Sequence, residues 1–242
     1  MPYLTQARAP LTREIGAVNE FGEPVSVSIP AERALTVYVD KREIVTLMTL
    51  GAQPELLVLG FLRNQRLLQS VQEVHSITVD WDVGAAAVKT HKGIVDIQAR
   101  TAQRVVTTGC GQGSMFGDLM AEVDKLVLPA ASLTQAQLYG IVNAIRLQES
   151  TYKSAGSVHG CGLFRGEELL LFVEDVGRHN AIDTIAGWMW MHGITGADKV
   201  FYTTGRLTSE MVIKSAQMGV PILVSRSGIT QMGHEVPHDP SA

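Results

Sequence analysis

The stretch from residue 168 to residue 225 constrains the fold more than any other part of the chain. It reads as strand 168–173, helix 179–191, strand 199–204, helix 208–218 and strand 221–225. Strands alternating with helices of this length imply parallel crossovers and an α/β sheet. Gly219 sits where a helix stop is expected, and Pro221 follows it. Upstream, Arg104-Val105-Val106-Thr107-Thr108 reads as a further strand that runs into Gly109-Cys110-Gly111-Gln112-Gly113. Thr134 with Gln137 fits a capping box, and Leu138, Ile141, Val142 and Ile145 follow at helical spacing. Gly160 to Phe164 adds another strand.

In such sheets the carboxyl ends of the strands share one edge, where ligands bind. Here those ends carry Glu174 and Asp175, then Thr204-Gly205-Arg206, then Ser225-Arg226-Ser227, with Cys110 just past another strand. The run Glu174-Asp175-Val176-Gly177-Arg178-His179-Asn180-Ala181-Ile182-Asp183 stands out. It sets acids, an Arg, a His and an Asn directly after the apolar Leu169-Leu170-Leu171-Phe172-Val173. Arg178 and Arg206 both follow strands at helix starts, where anions are favoured. Each could instead pair with Glu174, Asp175 or Glu210. Two arginines at one sheet edge favour an anionic ligand.

The first hundred residues have a different rhythm. The opening thirty, with Pro10, Pro24 and Pro30, read as an arm or irregular lead-in. Leu35 to Val39 and Ile44 to Met48 flank Asp40-Lys41-Arg42-Glu43 as a hairpin. Pro54 and Glu55 open a helix whose Leu56, Leu57, Leu59, Gly60 and Phe61 are expected to pack on that hairpin. Ile77, Val79 and Trp81 alternate with polar neighbours as a half-buried strand. The division expected is a small α+β unit over 1–103 and an α/β unit over 104–242.

Composition narrows the function classes. Of 242 residues 45% are hydrophobic and 18% charged, which excludes a disordered chain. A net charge of −4 gives no general electrostatic reason to bind nucleic acid. No apolar run reaches membrane-spanning length, and the N-terminus lacks a signal-peptide layout, so neither a membrane nor a nucleic-acid partner is expected. The two cysteines, Cys110 and Cys161, make no disulfide framework and suit a reducing, cytoplasmic setting. No Walker loop and no G-x-G-x-x-G opens a helix, which disfavours nucleotide hydrolysis and hydride transfer.

Cys110, set among glycines, is a candidate sulfur nucleophile; the alternative is an inert buried residue. His159 and Cys161 could join Cys110 on a metal, but a structural zinc usually has four ligands, and no metal is expected. Cys161 reads as packed core. Trp188-Met189-Trp190-Met191 reads as helix core, with Ile182, Ile185, Ala186 and Met189 on one face.

With these residues in hand, the chain resembles the FdhD/NarQ family, the accessory sulfur carriers of formate dehydrogenase maturation. The motifs that carry the likeness are Glu174-Asp-Val-Gly-Arg-His-Asn-Ala181 with Asp183, and Thr204-Gly-Arg206 with Ser209-Glu-Met-Val212 and Lys214-Ser-Ala216. Gly219-Val-Pro-Ile-Leu223 and Ser225-Arg-Ser227 follow. A weaker likeness reaches back through Pro54 to Leu62.

The resemblance implies a cytidine-deaminase-like, three-layer α/β domain behind a smaller N-terminal α+β domain, usually as a homodimer. It implies that Cys110 accepts persulfide sulfur from a cysteine desulfurase. The sulfur then passes to the bis-molybdopterin guanine dinucleotide form of the molybdenum cofactor before insertion into formate dehydrogenase. A GDP-like guanine nucleotide is expected to mimic that client. His159, Glu174, Asp175, Arg178, His179, Asn180, Gly205, Arg206, Ser225 and Ser227 are then the residues expected to line its pocket.

Three departures from the family pattern stand out. Gly113 replaces the second Cys of the C-x-x-C loop, and Gln65-Arg66 stand where Glu-Gly is usual. After Thr230 the family's closing strand and Gly-Phe segment are not found. A cofactor-binding chaperone that carries no sulfur is therefore the competing reading. The deaminase signature itself is missing, since His159-Gly160-Cys161 lacks the catalytic Glu.

Overall fold

The computed structural model describes residues 1–102, 104–106, 114–116 and 126–236. Cys110 and Gly113 lie outside the described residues.

The N-terminal unit is a five-stranded sheet in the order β1-β6-β7-β4-β5, formed by Tyr3–Leu4, Val74–Asp80, Ala85–Thr90, Arg33–Val39 and Arg42–Thr49 respectively. β4 and β5 form the expected hairpin, turning through Asp40 and Lys41 at φ of 47° and 73°. Such paired positive angles match the right-handed twist of the flanking strands. Leu35, Val37, Ile44 and Leu47 of this hairpin share a core with α1 (Pro54–Asn64). Gly60 does not rest on the hairpin as expected. A Cβ there would lie 1.6 Å from the carbonyl oxygen of Asp183, in a helix of the second unit.

The opening thirty residues are not an irregular lead-in. β1 pairs parallel with β6, and β2 (Thr12–Val18) with β3 (Pro24–Pro30) forms an antiparallel hairpin. Pro24 and Pro30 fall at the strand's two ends, where a missing N–H is tolerated. Glu55 holds the segment by accepting hydrogen bonds from Thr5 Oγ1 at 2.6 Å and Ala7 N at 2.7 Å. α2 (Ile97–Ala102) closes the unit.

Of the strand expected over Arg104–Thr108, Arg104–Val106 (β8) lies within the described residues, and there it pairs antiparallel with β9 (Ser114–Phe116), not with the main sheet. α3 (Gln135–Leu147) opens on the Thr134–Gln137 capping box, and the short α4 (Thr151–Ala155) follows.

The second sheet runs β11-β10-β12-β13, from Glu168–Asp175, His159–Arg165, Lys199–Thr203 and Ile222–Ser225. β10 is antiparallel to both neighbours, whereas β12 and β13 are parallel. The parallel direction expected for β11, β12 and β13 holds, and β10, for which the sequence pattern sets no direction, runs against them. Only Gly166 and Glu167 join β10 to β11, and so short a link permits a hairpin but no crossover. α5 (Arg178–Met191) and α6 (Ser209–Gln217) cover one face, packing Ile182, Ile185, Met189 and Met211 on Cys161, Leu163 and Phe201. α3 covers the other through Ile141 and Ile145 against Phe164, Val200 and Tyr202. The result is a mixed α/β sheet between two helical layers. α6 stops at Gly219, at φ 74°. α7 (Gln231–Glu235) ends the described chain.

The two units meet along α1 and α5. A Cβ on Gly187 would lie 2.0 Å from the carbonyl oxygen of Leu56, so these helices cross at backbone contact. Only glycine allows that approach. No described helix is long and apolar enough to cross a membrane.

Candidate functional site

β11, β12 and β13 run in one direction, so their carboxyl ends do share an edge, and the antiparallel β10 begins there. His159, its first residue, lies opposite Asp175 in the register. The edge collects His159, Arg178 and the Gly205-Arg206 pair from three separate segments.

Arg178 opens α5 behind Gly177, an N-cap residue that offers no side chain to the helix. It is 3% exposed, and its Nε and Nη2 are enclosed without a hydrogen-bond partner among the described residues. A buried guanidinium left unpaired is costly by several kcal/mol. Asp175, three residues earlier, does not relieve it. Its carboxylate takes four donors: Thr49 Oγ1 at 2.5 Å, Leu50 N at 3.2 Å, Gly177 N at 3.2 Å and Asn180 Nδ2 at 2.8 Å. Burial nonetheless pushes the Asp175 carboxyl above the usual range.

Gly205 forms the wall beside Arg178. A Cβ there would stand 2.7 Å from Arg178 Cδ and 3.4 Å from His159 Nδ1. Burial first, then the charges of Arg178 and Arg206, lower the His159 pKa, which leaves a neutral imidazole at pH 7. Arg206 is exposed. The described edge thus presents two guanidinium groups, a neutral imidazole and the uncapped first turn of α5, all suited to an anion.

Other expected residues are engaged by the protein. Asn180 Nδ2 also donates to the carbonyl of Met48 at 2.6 Å, so Asp175 and Asn180 together tie the end of β5 to the loop that carries Arg178. Glu174 points to the opposite face of the sheet, where it accepts from Thr151 N at 2.5 Å and Tyr152 N at 3.2 Å. Ser225 Oγ donates to the carbonyl of Gly205 at 2.8 Å and accepts from Ser227 N and Gly228 N, both at 3.0 Å. Ser227 itself is exposed.

His179 is buried behind Arg178 with Nε2 3.3 Å from Glu210 Oε2. Burial drives its pKa down to about 3, against the pull of Glu210. His179 is therefore a neutral imidazole beside Glu210, not half of an ion pair. Lys214 Nζ lies 2.7 Å from Asp183 Oδ2 and 3.4 Å from Glu210 Oε1, and Asn64 Nδ2 donates to Asp183 Oδ1 at 2.7 Å. This buried network links α1, α5 and α6.

Cys161 is core, as the sequence suggests. It is fully buried, its Sγ meets Thr203 Oγ1 at 3.3 Å, and burial pushes the thiol up to about 12. Such a thiol is a poor nucleophile or metal ligand. Sequence reasoning missed Thr203 and Thr49. Both end strands, where threonine is an ordinary strand residue, and the partners that tie them to the site, Cys161 and Asp175, lie far along the chain.

A family model described as FdhD/NarQ matches residues 30–239. The chain belongs to the FdhD/NarQ family. It is 31% identical over 207 residues to the sulfur carrier protein FdhD of Halalkalibacterium halodurans, covering 84% of this chain and 77% of that protein. It is 29% identical over 211 residues to the sulfur carrier protein FdhD of Staphylococcus aureus strain MRSA252, covering 86% and 79%. Its fold matches the crystal structure of a candidate formate dehydrogenase accessory protein from Desulfotalea psychrophila with a TM-score of 0.74. That pair is 26% identical, with 94% of this chain and 88% of the other covered. One departure from the FdhD/NarQ pattern acquires a physical reading. Arg66 adopts φ 53° just past α1, the left-handed conformation that favours the family's usual glycine.

Proposed function

We propose that this FdhD/NarQ protein is a sulfur carrier that serves formate dehydrogenase maturation from the cytoplasm. Cys110 takes the terminal sulfur of a cysteine desulfurase persulfide, becoming Cys110–S–SH and returning the desulfurase thiol. The outer sulfur then passes to bis-molybdopterin guanine dinucleotide, held as the client at the sheet edge: the S–S bond breaks, the client bonds the sulfur and gives up the two electrons that bring it to the sulfide level, and Cys110 returns to a thiol. Arg178 and Arg206 bind the client's anionic phosphates, and neutral His159 supplies a hydrogen bond beside them.

The observation that carries the site is the Arg178 guanidinium, buried with two of its nitrogens unpartnered among the described residues. A protein with no anionic ligand has no reason to keep it. Titration with GDP, which carries the phosphates and base of the client's arm, should give saturable binding that Arg178→Gln abolishes. Binding unchanged in that variant would remove the site. In cells, Cys110→Ala should abolish formate dehydrogenase activity.

The second reading, a cofactor-binding chaperone without sulfur transfer, is favoured by Gly113 and by the inert Cys161. No second reactive thiol is available among the described residues. It predicts GDP binding together with full formate dehydrogenase maturation by Cys110→Ala.

A further inference from the structure

Gly205 is fixed from three directions. Its N–H donates to Thr203 Oγ1 at 3.0 Å, its carbonyl accepts from Ser225 Oγ at 2.8 Å, and its Cα faces Arg178 Cδ with no room for a Cβ. The same Thr203 oxygen accepts the Cys161 thiol proton at 3.3 Å, which leaves the hydroxyl no freedom to turn away. Ser225 in turn gathers Ser227 N and Gly228 N, and the carbonyl of Gly228 receives Leu207 N at 2.9 Å. The loops after β12 and β13 are thereby locked to each other through one glycine. That glycine is also the surface on which the Arg178 stem and the His159 ring rest.

We infer that Thr203 and Ser225 are positioning residues: they clamp Gly205 from its two sides so that its bare Cα holds the Arg178 guanidinium and the His159 ring at the sheet edge. The inference rests on the anion site proposed above and adds to it. Ser225 then acts through Gly205 rather than on the ligand, and Thr203, at the end of β12 and fully buried, belongs to the site without touching what it binds. Among the described residues the Arg178 guanidinium has no ion partner to orient it. A rigid wall is what the fold supplies in place of a carboxylate. Cys161 belongs to the same arrangement as the donor that orients the Thr203 hydroxyl.

The test uses the full chain with GDP as the probe, in calorimetric titrations of wild type, Thr203→Val, Thr203→Ser, Ser225→Ala and Gly205→Ala. Loss of one neutral hydrogen bond at a buried group weakens an interaction by about tenfold. Thr203→Val and Ser225→Ala should therefore each raise Kd about tenfold, Thr203→Ser should restore it, and Gly205→Ala should abolish binding. NMR titration of His159 gives an independent readout. Arg178 lowers its pKa, so displacing the guanidinium should raise that pKa in Thr203→Val and leave it unmoved in Thr203→Ser.

Wild-type affinity and an unmoved His159 titration in both folded variants, Thr203→Val and Ser225→Ala, would overturn the positioning role while leaving the anion site standing, provided Arg178→Gln has lost binding. If Arg178→Gln binds GDP as wild type does, the anion site falls and this inference falls with it. Should Thr203→Val fail to fold, Ser225→Ala decides the question, because its hydroxyl lies at the half-buried end of β13.

Discussion

Replacing Arg178 with methionine should stabilise the ligand-free protein while removing anion binding. Two guanidinium nitrogens are enclosed without partners among the described residues, and each unsatisfied buried donor costs about 1–3 kcal/mol. A positive charge in the first turn of α5 adds roughly 0.3–1 kcal/mol through the helix dipole. Methionine keeps an unbranched stem against Gly205 and forfeits about 1 kcal/mol of packing. Even at the low end of these ranges the variant gains about 1–2 kcal/mol, or roughly 2–8 °C in Tm for a chain of this size. The assay is urea unfolding in buffer free of phosphate and nucleotide, repeated with GDP at a hundred times its Kd. GDP should add about 2.7 kcal/mol to wild type and nothing to the variant. A methionine variant less stable than wild type without ligand would refute the reasoning, because it would mean that the guanidinium has a structural partner.

Three further outcomes follow from the same geometry. Lys214→Met strands the buried Asp183 and Glu210 carboxylates and should cost about 3–5 kcal/mol in urea unfolding, whereas exchanging Lys214 and Asp183 together for apolar residues should recover most of that loss. His179 titrates near 6.5 when unfolded and about 3 when folded, so its contribution is present above pH 6.5 and lost as pH falls towards 3. His179→Gln should accordingly flatten the decline of stability across that window, and an unchanged slope would place the imidazole in solvent. Cys161 should resist alkylation in the native protein and react after denaturation, as judged by peptide mass mapping; rapid native labelling would contradict its burial.

The edge that collects the site was legible because strand and helix periods mark where β11, β12 and β13 end, whatever their neighbours do. The antiparallel β10 was legible in principle, since Gly166 and Glu167 are too few to cross over, but the helices around it dominated the pattern. The ordering of the first thirty residues was not legible. It depends on Glu55 reaching Thr5 and Ala7, and on β1 finding β6, pairings that no local period encodes. Asp175 and Asn180 show the same limit. Their residue types suit a ligand, yet Thr49 and the Met48 carbonyl, more than a hundred residues upstream, hold them. Arg178 was recognised from its place after a strand; that it is buried and unpartnered is visible only in three dimensions.

Sulfur transfer through a single thiol is the central claim, and the intact mass of the protein tests it most directly. After incubation with a cysteine desulfurase and cysteine, wild type should gain one sulfur atom, located on the peptide that carries Cys110, while Cys110→Ala gains none. An unchanged wild-type mass, or sulfur retained by Cys110→Ala, would contradict it.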